Sequence, residues 1–305
     1  MSASENTTDL HDEHYRSFHL KELKTITMSF GMLFNALIIL VYYKSRVLCN
    51  FLTNTIIAFL ALVDFFTCMG SLFSIYIKEF LPIPSGNIRG EIFCRLIQSE
   101  FYQSVCIPIS MMHIVLLAIE RYMAVLHPIK HRVLSSSKYK GRRYLVIIII
   151  YLLGIIVAAD NLIYFHVKEG LCFLDEEHES GIVLVVVYML FPISCVFIAT
   201  LCYVRLVKRV LSRHNRSKRG SNQNDVKLVF LALFISLLFA ITTSPVYIYT
   251  SITIFTTALN LHIYFSEVVF EILLQMAIHS SVINPLIFFI QSKDFRNEIQ
   301  HFIKP

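Results

Sequence analysis

The sequence predicts an all-α membrane protein, a seven-transmembrane helix bundle ending in a short amphipathic helix 8, on three observations. Of 305 residues, 56% are hydrophobic and only 16% charged, a balance too apolar for a domain that keeps its surface in water. Seven runs reach about the 20 apolar residues that a helix needs to cross the hydrocarbon core. Lys and Arg gather on one side of those runs. Leaving aside Arg121, 19 lie in the connections after spans 1, 3 and 5 and in the C-terminal tail, against seven in the N-terminal tail and the other connections. Cationic side chains stay cytoplasmic, so the chain is expected in the plasma membrane with its N-terminus outside.

Each element follows in order. Residues 1–24 form an extracellular tail whose acids Glu5, Asp9, Asp12, Glu13 and Glu22 replace the basic-then-apolar pattern of a signal peptide, so span 1 is expected to target the chain. Asn6 opens the sequon Asn6-Thr7-Thr8, a glycosylation acceptor on the outer side. The membrane domain, residues 25–291, holds spans at 25–43, 51–77 (interrupted only by Asp64), 101–119, 144–167 (interrupted by Asp160), 180–204, 228–261 and 264–291, the last with Glu267 and Glu271 in its first turns. Residues 292–305 make the cytoplasmic end. Within it, 292–303 is amphipathic, with Phe295, Ile299, Phe302 and Ile303 opposite Lys293, Arg296 and Glu298, as suits a helix lying on the inner lipid surface. Membrane lipid, not nucleic acid, is the expected surrounding. Of seven cysteines, only Cys94 and Cys172 take extracellular positions, where an oxidising exterior favours a disulfide. Cys68, Cys106, Cys195 and Cys202 read as packing residues within spans, and Cys49 as a cytoplasmic thiol.

Composition also narrows the function. No HExxH, GxSxG or paired-carboxylate pattern lies near a membrane face, so no enzyme is expected. A transporter or channel calls for repeats and a chain of intramembrane ionisable groups. Here one deep aspartate, Asp64, stands without a repeat and leaves that reading as the alternative. No span contains lysine, which excludes a retinal Schiff base.

Several motifs fall in order in the right spans. Glu120-Arg121-Tyr122 closes span 3 and precedes Pro128; span 7 carries Asn284-Pro285-Leu286-Ile287-Phe288; span 2 carries Leu60-Ala61-Leu62-Val63-Asp64; span 1 carries Asn35; and span 6 carries Phe239 and Pro245. Together they resemble the rhodopsin-like (class A) G-protein-coupled receptors across all seven spans. The resemblance implies a receptor that binds an extracellular ligand and activates a heterotrimeric G protein by outward movement of helix 6 about Pro245. It implies that Glu120 and, from span 6, Asp225 hold Arg121 at rest, with Tyr122 beside it, and that Ile129 makes an apolar contact with the G protein. It implies no cofactor, but a sodium site at Asp64, Ser110, Ser281 and Asn284, with Asn35 close by. A mid-membrane aspartate costs roughly 2.5–3.5 kcal/mol on insertion scales, so Asp64 needs partners. Sodium among oxygen ligands and a protonated or simply hydrogen-bonded carboxyl both meet that need.

The chain departs from the family in four places. It has no tryptophan; Tyr151 and Thr243 occupy the positions of two usual ones. Phe288 lacks the usual tyrosine hydroxyl of span 7. Pro192 and Tyr203 stand farther apart than the family pattern, and so do Cys94 and Arg121. The ligand is less legible. Sixteen acids against seven basic residues on the outer side either concentrate cations or merely solubilise that face. Glu100, Gln103, Asp160, Tyr247, Tyr249, Glu267, Glu271 and Gln275 are expected to line the cavity. Gln103 stands where amine receptors carry aspartate, so a basic peptide or other cationic ligand is preferred, with adenosine-like and lipid ligands open.

Overall fold

A computed structural model describes residues 5–45, 52–80, 88–168, 170–174, 181–216, 223–259, 261, 266–291 and 293–303. Helix α1 runs Glu5–Lys44 and α2 runs Leu52–Phe80. The short α3 (Ile88–Phe93) passes into a π turn, Cys94–Gln98, before α4 (Phe101–Leu126). Next come α5 (Pro128–Leu134), α6 (Lys140–Val157) and α7 (Ala159–Tyr164). Strands β1 (Phe165–Lys168) and β2 (Leu171–Leu174) pair antiparallel, Val167 opposite Cys172. Then follow α8 (Gly181–Arg216), α9 (Gln223–Ala258), α10 (Glu267–Gln291) and α11 (Lys293–Ile303).

Among the described residues, five segments are long and apolar enough to cross a membrane: Lys21–Lys44, Leu52–Ile77, Ile88–Leu126, Val186–Ser212 and Val268–Ile290. Helices α6 and α9 stand for the other two expected spans. The packing closes a ring in which α1 lies on α2 and α10, α4 joins α2 to α8, and α9 lies between α8 and α10, with α6 packed on α4. Lipid tails give no hydrophobic drive for helices to associate, so close approach through small residues matters. A Cβ on Gly154 of α6 would sit 2.2 Å from Ile109 Cγ1 of α4, and one on Gly31 of α1 would sit 2.7 Å from Cys68 Sγ. Ile38, Ile56, Leu60, Met111 and Ala277 are buried where the spans converge.

Several boundaries differ from those expected, among them the end of α8, which runs to Arg216 rather than 204, and the start of α9, at Gln223 rather than 228. Helix α1 starts at Glu5 within the tail, since nothing in its first 26 residues up to Phe30 is Gly or Pro to stop a helix continuing outward. Span 4 was expected to reach residue 167, but Phe165, His166 and Val167 form strand. Their apolar character suits the hairpin, which turns at Gly170 with φ +79°. Helix α4 continues beyond residue 119 to Leu126, and α9 ends at Ala258, short of 261. Helix α11 lies close to the amphipathic segment expected. Phe295 is buried against Phe289, and Arg296 Nη1 donates to the Phe289 carbonyl at 2.8 Å, capping the end of α10.

The expected disulfide joins Cys94 to Cys172, with Cα atoms 5.5 Å apart. The extra residues between Cys94 and Arg121 are taken up by the π turn and a break at Ser99 and Glu100. Glu100 is the one non-glycine residue at positive φ (55°) among the described residues, a left-handed conformation costing about 1–2 kcal/mol. The other four expected packing cysteines are free, Cys68 and Cys195 buried and Cys106 and Cys202 half-buried. Cys49 lies outside the described residues.

Candidate functional site

The membrane interior places a carboxylate where α2, α4 and α10 meet. Asp64 is fully buried. Ser110 Oγ and Ser281 Oγ each donate to its Oδ1 at 2.9 Å, and Asn284 Nδ2 donates to Oδ2 at 2.8 Å. Three of the four expected partners therefore converge, each from a different turn of α4 or α10. Asn35 does not touch Asp64. Pro285 has no N–H, so the carbonyl four residues before it, that of Ser281, loses its helical donor. Asn35 Nδ2 donates to that carbonyl at 2.9 Å and to the Gly31 carbonyl at 2.9 Å. Its role is to hold α1 on the proline-broken turn of α10.

A second polar centre closes the cytoplasmic end of α4. Glu120 is 2% exposed. Its Oε2 lies 3.5 Å from Arg121 Nε, while Oε1 accepts from Thr53 Oγ1 at 2.6 Å and lies 2.8 Å from His131 Nε2. The carboxylate thus joins α2, α4 and α5. Pro128 at the first position of α5 supplies φ without needing a donor, and it starts the helix that brings His131 back to Glu120. That helix leaves Ile129 81% exposed, and Arg121 is half-buried. Tyr122 packs edge-on against His127. Thr53 and His131 were not singled out from the sequence. The only signal for them is positional, a hydroxyl in the first turn of α2 and a histidine one turn past a helix-starting proline.

Helices α8 and α9 meet differently. Tyr188 and Phe191 of α8 pack on Tyr247 of α9 with ring centroids 6.0 and 6.4 Å apart. Below them a cavity of about 20 Å³ lies among Met111, Ile114, Cys195, Ala199 and Ala240. Thr243, in place of the usual tryptophan, is fully buried, and Pro245 lies inside α9. Phe288 is 5% exposed in the central apolar core. Tyr151 Oη donates to the Phe59 carbonyl at 3.2 Å, so the residue at the other tryptophan position ties α6 to α2. The Asp225 and Phe239 side chains lie outside the described residues.

Of the expected ligand-cavity residues, Glu100 and Gln103 cluster. Ser74 Oγ donates to Glu100 Oε1 at 2.9 Å, and the buried Gln103 donates through Nε2 to Tyr102 Oη at 2.7 Å. Gln103 Oε1 has no hydrogen-bond partner among the described residues. Tyr249 Oη donates to the Ser266 carbonyl at 2.9 Å, fastening α9 to the start of α10. Tyr247 is buried in the aromatic contact with α8, Gln275 is half-buried, and Glu271 is exposed. The side chains of Asp160 and Glu267 lie outside the described residues, as does that of Asn6.

The sequence matches the profile of the 7 transmembrane receptor (rhodopsin family) over residues 34–288. It is 24% identical to a QRFP-like peptide receptor from Branchiostoma floridae, covering 92% of this chain and 78% of that one. It is 23% identical to neuropeptide Y receptor type 4-2 from Homo sapiens, with coverage of 90% and 76%. It is 26% identical to the trissin receptor of Drosophila melanogaster, with coverage of 63% and 29%.

Proposed function

The chain belongs to the rhodopsin family of seven-transmembrane receptors, and on that premise we propose that it is a plasma-membrane receptor for an extracellular peptide, coupled to a heterotrimeric G protein. It is a multi-pass membrane receptor and not an enzyme. The transporter alternative built on Asp64 has no support from the family match.

The observation that carries the coupling is the half-buried Arg121 beside buried Glu120, under a loop helix that exposes Ile129. Arg121 is held there by an adjacent carboxylate whose other oxygen is committed to Thr53 and His131. In this reading Asp225 holds Arg121 from α9 at rest. Outward movement of α9 about Pro245 then opens a cleft beside Arg121 and Ile129 for a helix of the G protein. The aromatic contact between α8 and α9 supports that movement, since one apolar surface slides over another more readily than a hydrogen bond shifts register. Phe288 lacks a hydroxyl that could bridge to Arg121 in the open state, which lowers the open population.

A peptide ligand is supported by two of those relatives, which are named for a QRFP-like peptide and for neuropeptide Y. A basic or otherwise cationic peptide is supported by the acidic outer face and by Glu100 and Gln103, a carboxylate and an amide oxygen suited to N–H donors. The residues around Asp64 fit a sodium ion: Asp64 with the Ser110 and Ser281 hydroxyls makes a set of hard oxygen donors. Asn284 presents its amide nitrogen and would orient the carboxylate, while Asn35 would stand outside the set. Bound there, sodium would neutralise the buried charge and favour the closed bundle.

The test is G-protein activation in cells without added ligand, comparing wild type with Asp225→Ala and Arg121→Ala at matched surface expression. Raised basal activation in Asp225→Ala and none in Arg121→Ala is expected. Equal activity in all three would overturn the Arg121 latch.

A further inference from the structure

The hairpin β1–β2 is held to the chain before α4 by more than the disulfide. Arg95, in the π turn, makes three contacts at once. Its Nη2 lies 2.9 Å from His166 Nδ1, its Nη1 donates to the Leu162 carbonyl at 2.8 Å, and its Nε donates to Glu91 Oε2 at 3.3 Å. Glu91 Oε1 in turn accepts from the Val167 backbone N–H at 3.2 Å. The Leu162 carbonyl lies in the last turn of α7, where helical carbonyls lack donors. One guanidinium thus fastens a helix end, a strand and a short helix together. His166, Glu91 and Arg95 are 43%, 38% and 33% exposed, so the cluster is open to water.

A guanidinium only donates, so the 2.9 Å contact requires His166 Nδ1 to accept, which fixes the neutral ring with its proton on Nε2. We propose that this clamp is a proton-binding site through which extracellular acid loosens the hairpin. A proton taken up at Nδ1 removes the acceptor and puts an imidazolium charge against Arg95. His166 Nδ1 is 3.9 Å from Glu91 Oε2, so the new cation competes with Arg95 for that oxygen and draws Glu91 away from the Val167 amide. The elements packed on β1 leave few other charges to mask this. Helix α3 contributes Arg89 and Glu91, the π turn Arg95, and β2 none, while β1 itself adds Lys168 two residues along. Only Glu91 and Arg95 approach His166 within 4 Å among the described residues. Histidine is the side chain whose charge ordinarily changes between about pH 5 and 8. Because the disulfide joins this hairpin to the segment leading into α4, loosening it alters the mouth through which a ligand enters.

The test uses the full receptor in nanodiscs and reads hydrogen-exchange protection over residues 162–168, corrected for intrinsic exchange at each pH. Wild type should lose roughly three- to tenfold protection between pH 7.5 and 5.5, the loss of one ordinary hydrogen bond. The His166→Asn variant places a non-titrating oxygen near the Nδ1 position and should stay protected at both pH values. The His166→Phe variant should be weakly protected at both. A wild type as flat as His166→Asn would overturn the proposal, as would the same pH step in all three proteins, which would put the titrating group elsewhere.

Discussion

Two seams of the bundle are built from different chemistry. Where α1, α2, α4, α6 and α10 meet, buried side chains reach between helices: Asn35 to Ser281, Ser110, Ser281 and Asn284 to Asp64, Thr53 to Glu120, and Tyr151 to Phe59. Where α8 meets α9, the described contacts are between aromatic rings, Tyr188 and Phe191 on Tyr247. Directional bonds permit one register and fail abruptly when it shifts. Apolar contacts tolerate sliding, because one hydrocarbon surface substitutes for another. The difference makes the first seam the stiffer of the two and leaves the second freer to slide.

The largest effect should come from breaking the first seam at its centre. Asp64→Leu leaves three buried donors without an acceptor and should cost about 3 kcal/mol or more, read as a fall in melting temperature of the purified receptor. A melting temperature within error of wild type would mean that those donors find other partners and that the seam does not depend on the carboxylate. Next, Gly154→Ala forces a methyl group toward Ile109 and, at 3.2 Å, the Val105 carbonyl. It should cost about 1–3 kcal/mol by overpacking, again as a lowered melting temperature. Thr53→Ala removes one bond to Glu120 without touching Arg121. A loss of about 1 kcal/mol should raise basal G-protein activation up to roughly fivefold, and a fall in basal activation would show that Thr53 supports the active state instead.

The smallest effect should have the opposite sign and lie in the second seam. Ala240→Val adds methyl groups at the cavity wall and should stabilise the resting bundle by less than about 1 kcal/mol. It should raise the melting temperature slightly while reducing agonist-driven signalling. If the same variant instead destabilised the protein, the α8–α9 seam would be as closely fitted as the first, and the contrast between them would fail.

The spans were legible because a bilayer demands long uncharged runs whatever the helices pack against. That Asp64 needs partners was legible because an aspartate at that depth must be satisfied, while Ser110, Ser281 and Asn284 were implied by the family resemblance. The overrun of span 4 through Val167 shows the limit: 161–167 holds no Asp, Glu, Lys or Arg to end a span, and only pairing with Leu171–Leu174 makes Phe165–Val167 strand. Asn35 shows another. It was expected near Asp64, but it bonds the Ser281 carbonyl, freed by Pro285 in a helix 246 residues away.

By itself the sequence determined the membrane solvent and the number and order of spans. These follow from hydrophobicity and local spacing, which act along one chain segment at a time. Only the tertiary structure decided that His131 and Thr53 share one oxygen of Glu120, that Arg95 fastens the extracellular hairpin, and that α4, α8 and α9 leave a small cavity among them. Each of those depends on the distance and facing of side chains from separate helices, which packing sets and no single segment encodes.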